Sequence, residues 1–179
     1  MSEFEFLLIF LAILMSFVVA RVVTALPDIF DKPRRYWVHC VWSVAAIGNV
    51  VISWWAIYQY RDVTWTLHLF LLFVAPAACW LFVAAALAPD EPSDVTDWRN
   101  HYFRVHRQLI GATIVSQLMI SVFNSLVMEG WSTIALAIPS VAGLLLAPAL
   151  FTKRPQVHGA VAIFYLFIVV AYTTGNPPH

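Results

Sequence analysis

The sequence predicts an all-α integral membrane bundle of six transmembrane helices, forming a single transmembrane domain over residues 1–179. Three observations predict it. The chain is 61% hydrophobic and 11% charged, with a mean hydropathy of +0.79, whereas a soluble domain has about 25% charged residues. Six hydrophobic runs approach the roughly 20 residues that a helix needs to cross the bilayer core. Short turns with proline and charged residues separate most of these runs.

The six runs are the predicted helices in order. They cover about residues 4–26, 36–58, 65–88, 103–128, 131–150 and 156–174. Most connections are under about ten residues, so neighbours in sequence are expected to be antiparallel neighbours in space. The acidic connection from Pro89 to Tyr102 is longer, and Ser93 or Asp94 is suited to cap a helix there. The fourth helix therefore either begins early or follows a short interfacial helix.

Composition excludes several classes of protein. The net charge of zero gives no case for a nucleic-acid partner. The N-terminal Met1-Ser2-Glu3-Phe4-Glu5 is acidic where a signal peptide is basic, so the first run is expected to stay in the mature protein. Cys40 and Cys79 lie within hydrophobic runs and are expected to be unpaired. No motif for nucleophilic catalysis or phosphate binding is present, and no cofactor is identified.

The basic residues predict the orientation. Arg61 lies on one side, and the other nine of the ten lie at the first, third and fifth turns. They are Arg21, Lys32, Arg34, Arg35, Arg99, Arg104, Arg107, Lys153 and Arg154. By the positive-inside rule these turns are cytoplasmic and both termini are outside. Arg21 is placed to pair with Asp28 or Asp90.

The same three turns share a pattern in which a run ends at proline and the next run opens with Val-His. The prolines are Pro27, Pro89 and Pro148, and the histidines are His39, His106 and His158. Read as repeats, the turns divide the chain into three tandem helical hairpins. Prolines after helix ends and basic cytoplasmic turns are also general features of membrane helices, which leaves the repeat open.

Several short segments resemble those of a known protein group. They are Phe4-Glu5-Phe6, Arg35-Tyr36-Trp37-Val38-His39, Trp54-Trp55, Trp65-Thr66, Ala88-Pro89-Asp90 and His101-Tyr102-Phe103. Over about residues 3–110 the chain resembles an uncharacterised group of small bacterial polytopic inner-membrane proteins. The resemblance implies a multi-pass protein of the bacterial inner (plasma) membrane, with the lipid bilayer as its surroundings. It implies no activity and no site residues.

Each even-numbered helix carries a stripe of polar or small residues that begins at its histidine, counted at about 100° per residue. The stripe residues are Ser43, Asn49 and Ser53 on the second helix, Thr113, Gln117, Ser121 and Asn124 on the fourth, and Tyr165 and Tyr172 on the sixth. Polar residues at membrane depth avoid lipid. We therefore expect the even helices inside, with their stripes facing one another, and the more apolar odd helices outside. Pro76 and Pro139 are expected to kink two of the odd helices.

The stripes suggest a small transporter or channel with a polar path along helices 2, 4 and 6. His39, His106 and His158 would ring its cytoplasmic mouth. The alternative is that these side chains only join helices, through hydrogen bonds worth about 0.6 kcal/mol each on average.

The histidines allow other functions. Three imidazoles at one depth are able to bind a metal, and two are able to ligate haem. The alternative function is therefore a haem- or metal-binding membrane redox protein that uses His39, His106 and His158. One imidazole is able to relay protons, with Asp28 or Asp90 nearby. Near the headgroups each can also simply meet water. Besides transport and redox or metal binding, the third predicted function class is a non-catalytic membrane subunit or sensor. Its exposed faces would bind partner membrane helices or a second copy of the chain.

Overall fold

The computed structural model describes residues 2–127 and 133–175, with side chains over 2–127 and 138–171. The described part is all-α and contains no strand. The six α-helices are α1 (Glu3–Ile29), α2 (Trp37–Ala56), α3 (Leu67–Leu87), α4 (Trp98–Val127), α5 (Thr133–Leu146) and α6 (Pro155–Gly175). Short 3-10 segments follow at Ile57–Tyr60, Pro92–Asp94 and Ala147–Leu150. The predicted six-helix, all-α class is confirmed.

Four of these helices are long and apolar enough to cross a membrane. They are the segments Glu3–Ile29, Trp37–Tyr60, Leu67–Leu87 and Trp98–Val127. Two shorter apolar helices, Ile138–Leu150 and Pro155–Ala171, complete the described set. The fold is thus compatible with a multi-pass membrane protein. Both predicted features occur before the fourth helix: α4 begins early, at Trp98, and the short 3-10 segment Pro92–Asp94 precedes it. The predicted cap at Ser93 or Asp94 is wrong, because the Asp97 carboxylate accepts from the first amides of α4, those of Arg99 at 2.8 Å and Asn100 at 3.4 Å.

Local sequence explains where several helices begin. Ser2 and Glu5 form a capping box at the start of α1: the Ser2 hydroxyl accepts from the Glu5 amide at 3.1 Å, and the Ser2 amide donates to the Glu5 carboxylate at 2.7 Å. Thr66 caps α3 by accepting from the Leu69 amide at 3.3 Å. Both caps satisfy amide groups that have no partner inside the helix.

Arg34 joins the turn after α1 to the connection before α4. It donates to the carboxylates of Asp31 at 2.8 Å and Asp28 at 3.1 Å. It also donates to the backbone carbonyls of Ser93 at 2.8 Å and Val95 at 3.1 Å. The hydrogen bond to Asp31 raises the pKa of Arg34 above its ordinary value, and burial opposes this. Two basic-side turns that are distant in sequence are therefore held together.

Arg21 closes the end of α3. Its guanidinium donates to the Ala88 carbonyl at 2.7 Å and to the Asp90 carboxylate at 2.6 Å. A carbonyl at the end of a helix has no partner within the helix, so a cation there satisfies it and complements the helix dipole. The predicted pairing with Asp90 is confirmed, while Asp28 pairs with Arg34 instead.

The six helices form a closed ring. Its order is α1, α2, α6, α5, α4 and α3, and α3 packs against α1 again. Each sequential pair does pack as a hairpin, sparsely in the case of α5 and α6. Threefold symmetry would place the three hairpins in equivalent positions, but α2 lies next to α6 and α1 next to α3. The three similar turns therefore do not correspond to a threefold arrangement of hairpins.

The prediction that odd helices lie outside is wrong for α3. This helix packs against α1, α2 and α4, and Trp80, Val83 and Leu87 on it are buried. The odd helix α1 also buries one face: its buried residues recur every three or four positions from Leu7 to Ile29. Nearly uniform apolarity hides an inward face, because lipid and protein interior select the same residue types.

Candidate functional site

Three histidines at the basic end bond carbonyls at the end of α3 and in the turn before α6. The Nε2 atom of His39 bonds the Leu87 carbonyl at 2.8 Å, and that of His101 bonds the Ala86 carbonyl at 3.0 Å. The Nε2 atom of His158 bonds the Thr152 carbonyl at 2.8 Å. Carbonyls at a helix end need partners from outside the helix. Two of the three Val-His histidines therefore have a structural role that accounts for their position at helix starts.

The predicted histidine set divides into two groups around Tyr102. His106 and His158 lie together, with ring centroids 5.2 Å apart, and the Tyr102 hydroxyl bonds Nδ1 of His158 at 2.9 Å. His39 lies on the other side of Tyr102, with ring centroids 6.2 Å apart, and against His101 at 5.7 Å. Within the described residues no three His, Cys, Asp or Glu side chains are grouped to hold a metal ion.

The basic end is tightly packed beneath its charged rim. His39 and His158 are fully buried and His106 is 3% exposed, so they do not surround an open mouth. Tyr36, just before α2, has a buried hydroxyl without a hydrogen-bond partner in the described part of the chain. Burial raises the pKa of Tyr36, and the positive charge of Arg99 opposes this.

An aromatic layer closes the bundle at mid-depth. The ring of Tyr165 stacks on Trp42, with centroids 5.1 Å apart, and lies against Trp80 at 6.4 Å. All three side chains are at most 2% exposed. The layer separates the histidine groups from the opposite half of the bundle, so no continuous polar path is open in this conformation.

We call the side of this layer that faces the histidines its lower side. On the upper side, the hydroxyl of Tyr165 joins polar residues of three helices. It donates to the amide oxygen of Asn49 on α2 at 3.1 Å and accepts from the amide nitrogen of Gln117 on α4 at 3.0 Å. Tyr165 itself belongs to α6. One residue from each of the three predicted stripes thus meets the others at a part-buried point.

These three residues form part of the wall of a cavity of about 510 Å³. The cavity lies in the half of the bundle remote from the basic turns, because its lining residues come from the second halves of α2 and α4. No Asp, Glu, Lys, Arg or His lines it among the residues that the structure describes. Its other walls are mainly apolar and aromatic, and include Phe73, Ile120 and Ile168. Its volume is in the usual range for small-molecule sites, about 300–1,000 Å³.

Only some of the other predicted path residues line the cavity. Ser53 and Asn124 line the cavity, and Asn124 accepts from the Tyr60 hydroxyl at 2.7 Å. Ser43 and Thr113 are fully buried below the aromatic layer, and each bonds a carbonyl of its own helix. Ser121 is buried and is not part of the cavity wall. The side chain of Tyr172 lies outside the described residues.

Sequence reasoning missed the aromatic and proline parts of the site. Trp42, Trp80 and Pro76 were not predicted to contribute, yet Trp80 and Pro76 line the cavity and Trp42 lies beneath its floor. The Ser116 hydroxyl donates to the Pro76 carbonyl at 3.3 Å. One available signal was the four-residue spacing of Pro76 and Trp80, which puts both on one face of α3.

Comparisons with protein-family models, with curated proteins and with solved structures find no match for this chain. The resemblance of residues 3–110 to small bacterial inner-membrane proteins stays a prediction. The features of the chain that bear on function are the cavity, its polar floor and the closed half beneath it.

Proposed function

We propose that this protein is a small multi-pass transporter of the bacterial inner membrane, which binds an uncharged solute in the cavity between α2, α4 and α6. The observation that carries the proposal is the meeting of Asn49, Gln117 and Tyr165 at the cavity floor. A mainly apolar pocket with a few convergent polar groups is typical of a ligand site. The polar groups at this depth come from three helices, which is more than the packing of any one pair requires.

The positive-inside rule supports the orientation of this transporter. With the basic turns in the cytoplasm, both termini and the cavity are on the outer side. The conformation described here then corresponds to an outward-facing state, closed toward the cytoplasm by Trp42, Trp80 and Tyr165.

Two prolines provide places where the helices can bend. Pro76 in α3 and Pro139 in α5 both line the cavity. A proline inside a helix removes a backbone hydrogen bond and kinks the helix there. Bending at these positions would move the lower half of the bundle relative to the aromatic layer.

Thiol accessibility tests transport without knowledge of the solute. In a variant with Cys40→Ala and Cys79→Ala, a single Asn49→Cys is expected to react with a membrane-impermeant maleimide from the outer side. A single Ser43→Cys, which replaces a fully buried residue, is expected to react from the cytoplasmic side, because transport requires the lower half to open. Val51→Cys is the control: Val51 is 60% exposed on the outer surface of the bundle, faces lipid and should react from neither side.

Lack of reaction at Ser43→Cys from the cytoplasmic side, with Asn49→Cys reactive, would contradict transport. That result would favour the second candidate, a non-catalytic sensor or subunit that binds the same ligand. The observation that favours this candidate is the close, buried packing around Tyr102 and the histidines.

A further inference from the structure

The cavity also restricts the kind of molecule that it can hold, and this inference rests on the proposed function of the same site. The lining among the described residues contains no charged side chain. A charged ligand would leave water or the headgroup region without a counter-charge in the cavity, which is strongly unfavourable. The ligand is therefore uncharged.

The floor determines the polar group of the ligand. Tyr165 uses the amide oxygen of Asn49 and the amide nitrogen of Gln117. The amide nitrogen of Asn49 and the amide oxygen of Gln117 therefore keep their hydrogen-bonding capacity on the cavity side. One donor and one acceptor at the same place match a group that both accepts and donates, such as a hydroxyl or a primary amide.

The walls determine the rest of the ligand. Ile52, Phe73, Ile120 and Ile168 line the cavity, together with Trp80 at its floor. Apart from the amide and hydroxyl groups already named, these walls offer a ligand chiefly carbon surface. A sugar or polyol would lose most of its hydrogen bonds with water there. An apolar chain or ring would keep favourable contacts throughout.

Two exposed residues of the cavity wall indicate how a ligand reaches the cavity. Ile138 on α5 and Phe167 on α6 line the cavity, and their side chains are also 50% and 67% exposed. In the described part of the chain α5 and α6 pack sparsely against each other. This exposed apolar part of the cavity wall favours a route from lipid to the cavity between α5 and α6.

We propose that the cavity binds an uncharged amphipathic molecule, an apolar body with a single hydroxyl or amide group, which enters from the outer half of the bilayer between α5 and α6. Its polar group bonds Asn49 and Gln117 beside Tyr165, and its apolar body lies against Phe73, Ile120 and Trp80.

A photoreactive long-chain alcohol tests this ligand class in the full chain. The probe is a dodecanol with a diazirine near the hydroxyl, added to the protein in lipid nanodiscs and mapped by mass spectrometry. Saturable crosslinks are expected on cavity residues. An excess of 1-decanol should reduce these crosslinks at least tenfold, whereas decane, decanoate and glycerol should not reduce them. Competition by glycerol but not by decanol, or crosslinks on lipid-facing residues alone, would overturn the proposal.

Variants then test the polar floor and the route between α5 and α6 separately. Asn49→Leu and Gln117→Leu should each reduce saturable crosslinking at least fivefold, while Ser125→Ala on the exposed surface of α4 should not. Ile138→Trp should slow crosslinking by obstructing this route, and Ile9→Trp, at a similarly exposed position on α1, should not. Equal rates in the two tryptophan variants would overturn lateral access. Competition in the unmodified chain decides the ligand class even where a variant fails to fold.

The two proposals fail in different ways. Competition by decanol without reaction of Ser43→Cys from the cytoplasmic side would leave the ligand class standing and remove transport. Reaction of Ser43→Cys together with competition by glycerol alone would leave transport standing and remove the amphipathic ligand.

Discussion

At the scale of single residues, the hydroxyl of Tyr165 contributes two hydrogen bonds that join three helices. Both bonds lie at the floor of the cavity, and Tyr165 is only 1% exposed. Without the hydroxyl, the amides of Asn49 and Gln117 lose a partner that no other described side chain supplies. The ring of Tyr165 would still stack on Trp42.

We therefore expect Tyr165→Phe to lower the free energy of unfolding by about 1 kcal/mol, because two interhelical hydrogen bonds are lost while the packing is kept. Reversible unfolding in mixed micelles measures it. Ser125→Ala is the control, since the Ser125 hydroxyl is exposed and donates at 2.7 Å to Val122 on its own helix. The free energy of unfolding of Ser125→Ala should fall by less than about 0.5 kcal/mol. Equal losses in the two variants would contradict the role of the Tyr165 hydroxyl.

At the scale of helices, the contact of α2 with α6 depends on a glycine. A β-carbon at Gly48 would lie 2.9 Å from Cγ1 of Val169, and valine has little freedom to move aside. At Gly111 on α4, a β-carbon would meet no atom within 4 Å. The two glycines therefore form a matched pair of sites for the same substitution.

Gly48→Ala is expected to lower the thermal unfolding temperature in detergent, through overpacking that costs about 1–3 kcal/mol. Gly111→Ala should leave it unchanged or raise it, because alanine favours helix by up to about 1 kcal/mol over glycine. A decrease of the same size in both variants would mean that the close approach of α2 and α6 is not the cause.

The polar stripes could be predicted from the sequence, whereas the helix order and the aromatic floor could not. Asn49, Gln117 and Tyr165 stand out because amides and hydroxyls are costly in lipid, so their helices had to face protein. Trp80 on α3 gave no such signal, since an apolar residue suits lipid and protein interior equally. His39 was visible as a recurrent residue, but its bond to Leu87 spans 48 residues, and no local pattern contains that partner.

At the scale of the whole molecule, the basic end of the ring is densely joined, and the opposite half contains the cavity. Arg34 and Arg21 bind carbonyls and carboxylates across separate turns at the basic end. The histidines and Tyr102 fill the interior directly beneath them. The cavity takes up the opposite half, where α5 and α6 are least in contact. This asymmetry makes the orientation of the chain in the membrane decisive for which compartment reaches the cavity.

Orientation is tested by two exposed residues at opposite ends of the helices, Glu91 before α4 and Gln59 after α2. With Cys40→Ala and Cys79→Ala, a single Glu91→Cys should react with an impermeant maleimide in inverted membrane vesicles and stay protected in right-side-out vesicles. Gln59→Cys should show the opposite pattern, because nine of the ten basic residues lie on the side of Glu91. Labelling after membrane solubilisation, where both should react fully, controls for the reactivity of each thiol. The reverse pattern would place the cavity in the cytoplasmic half of the bilayer, and the proposed transporter would then be inward-facing.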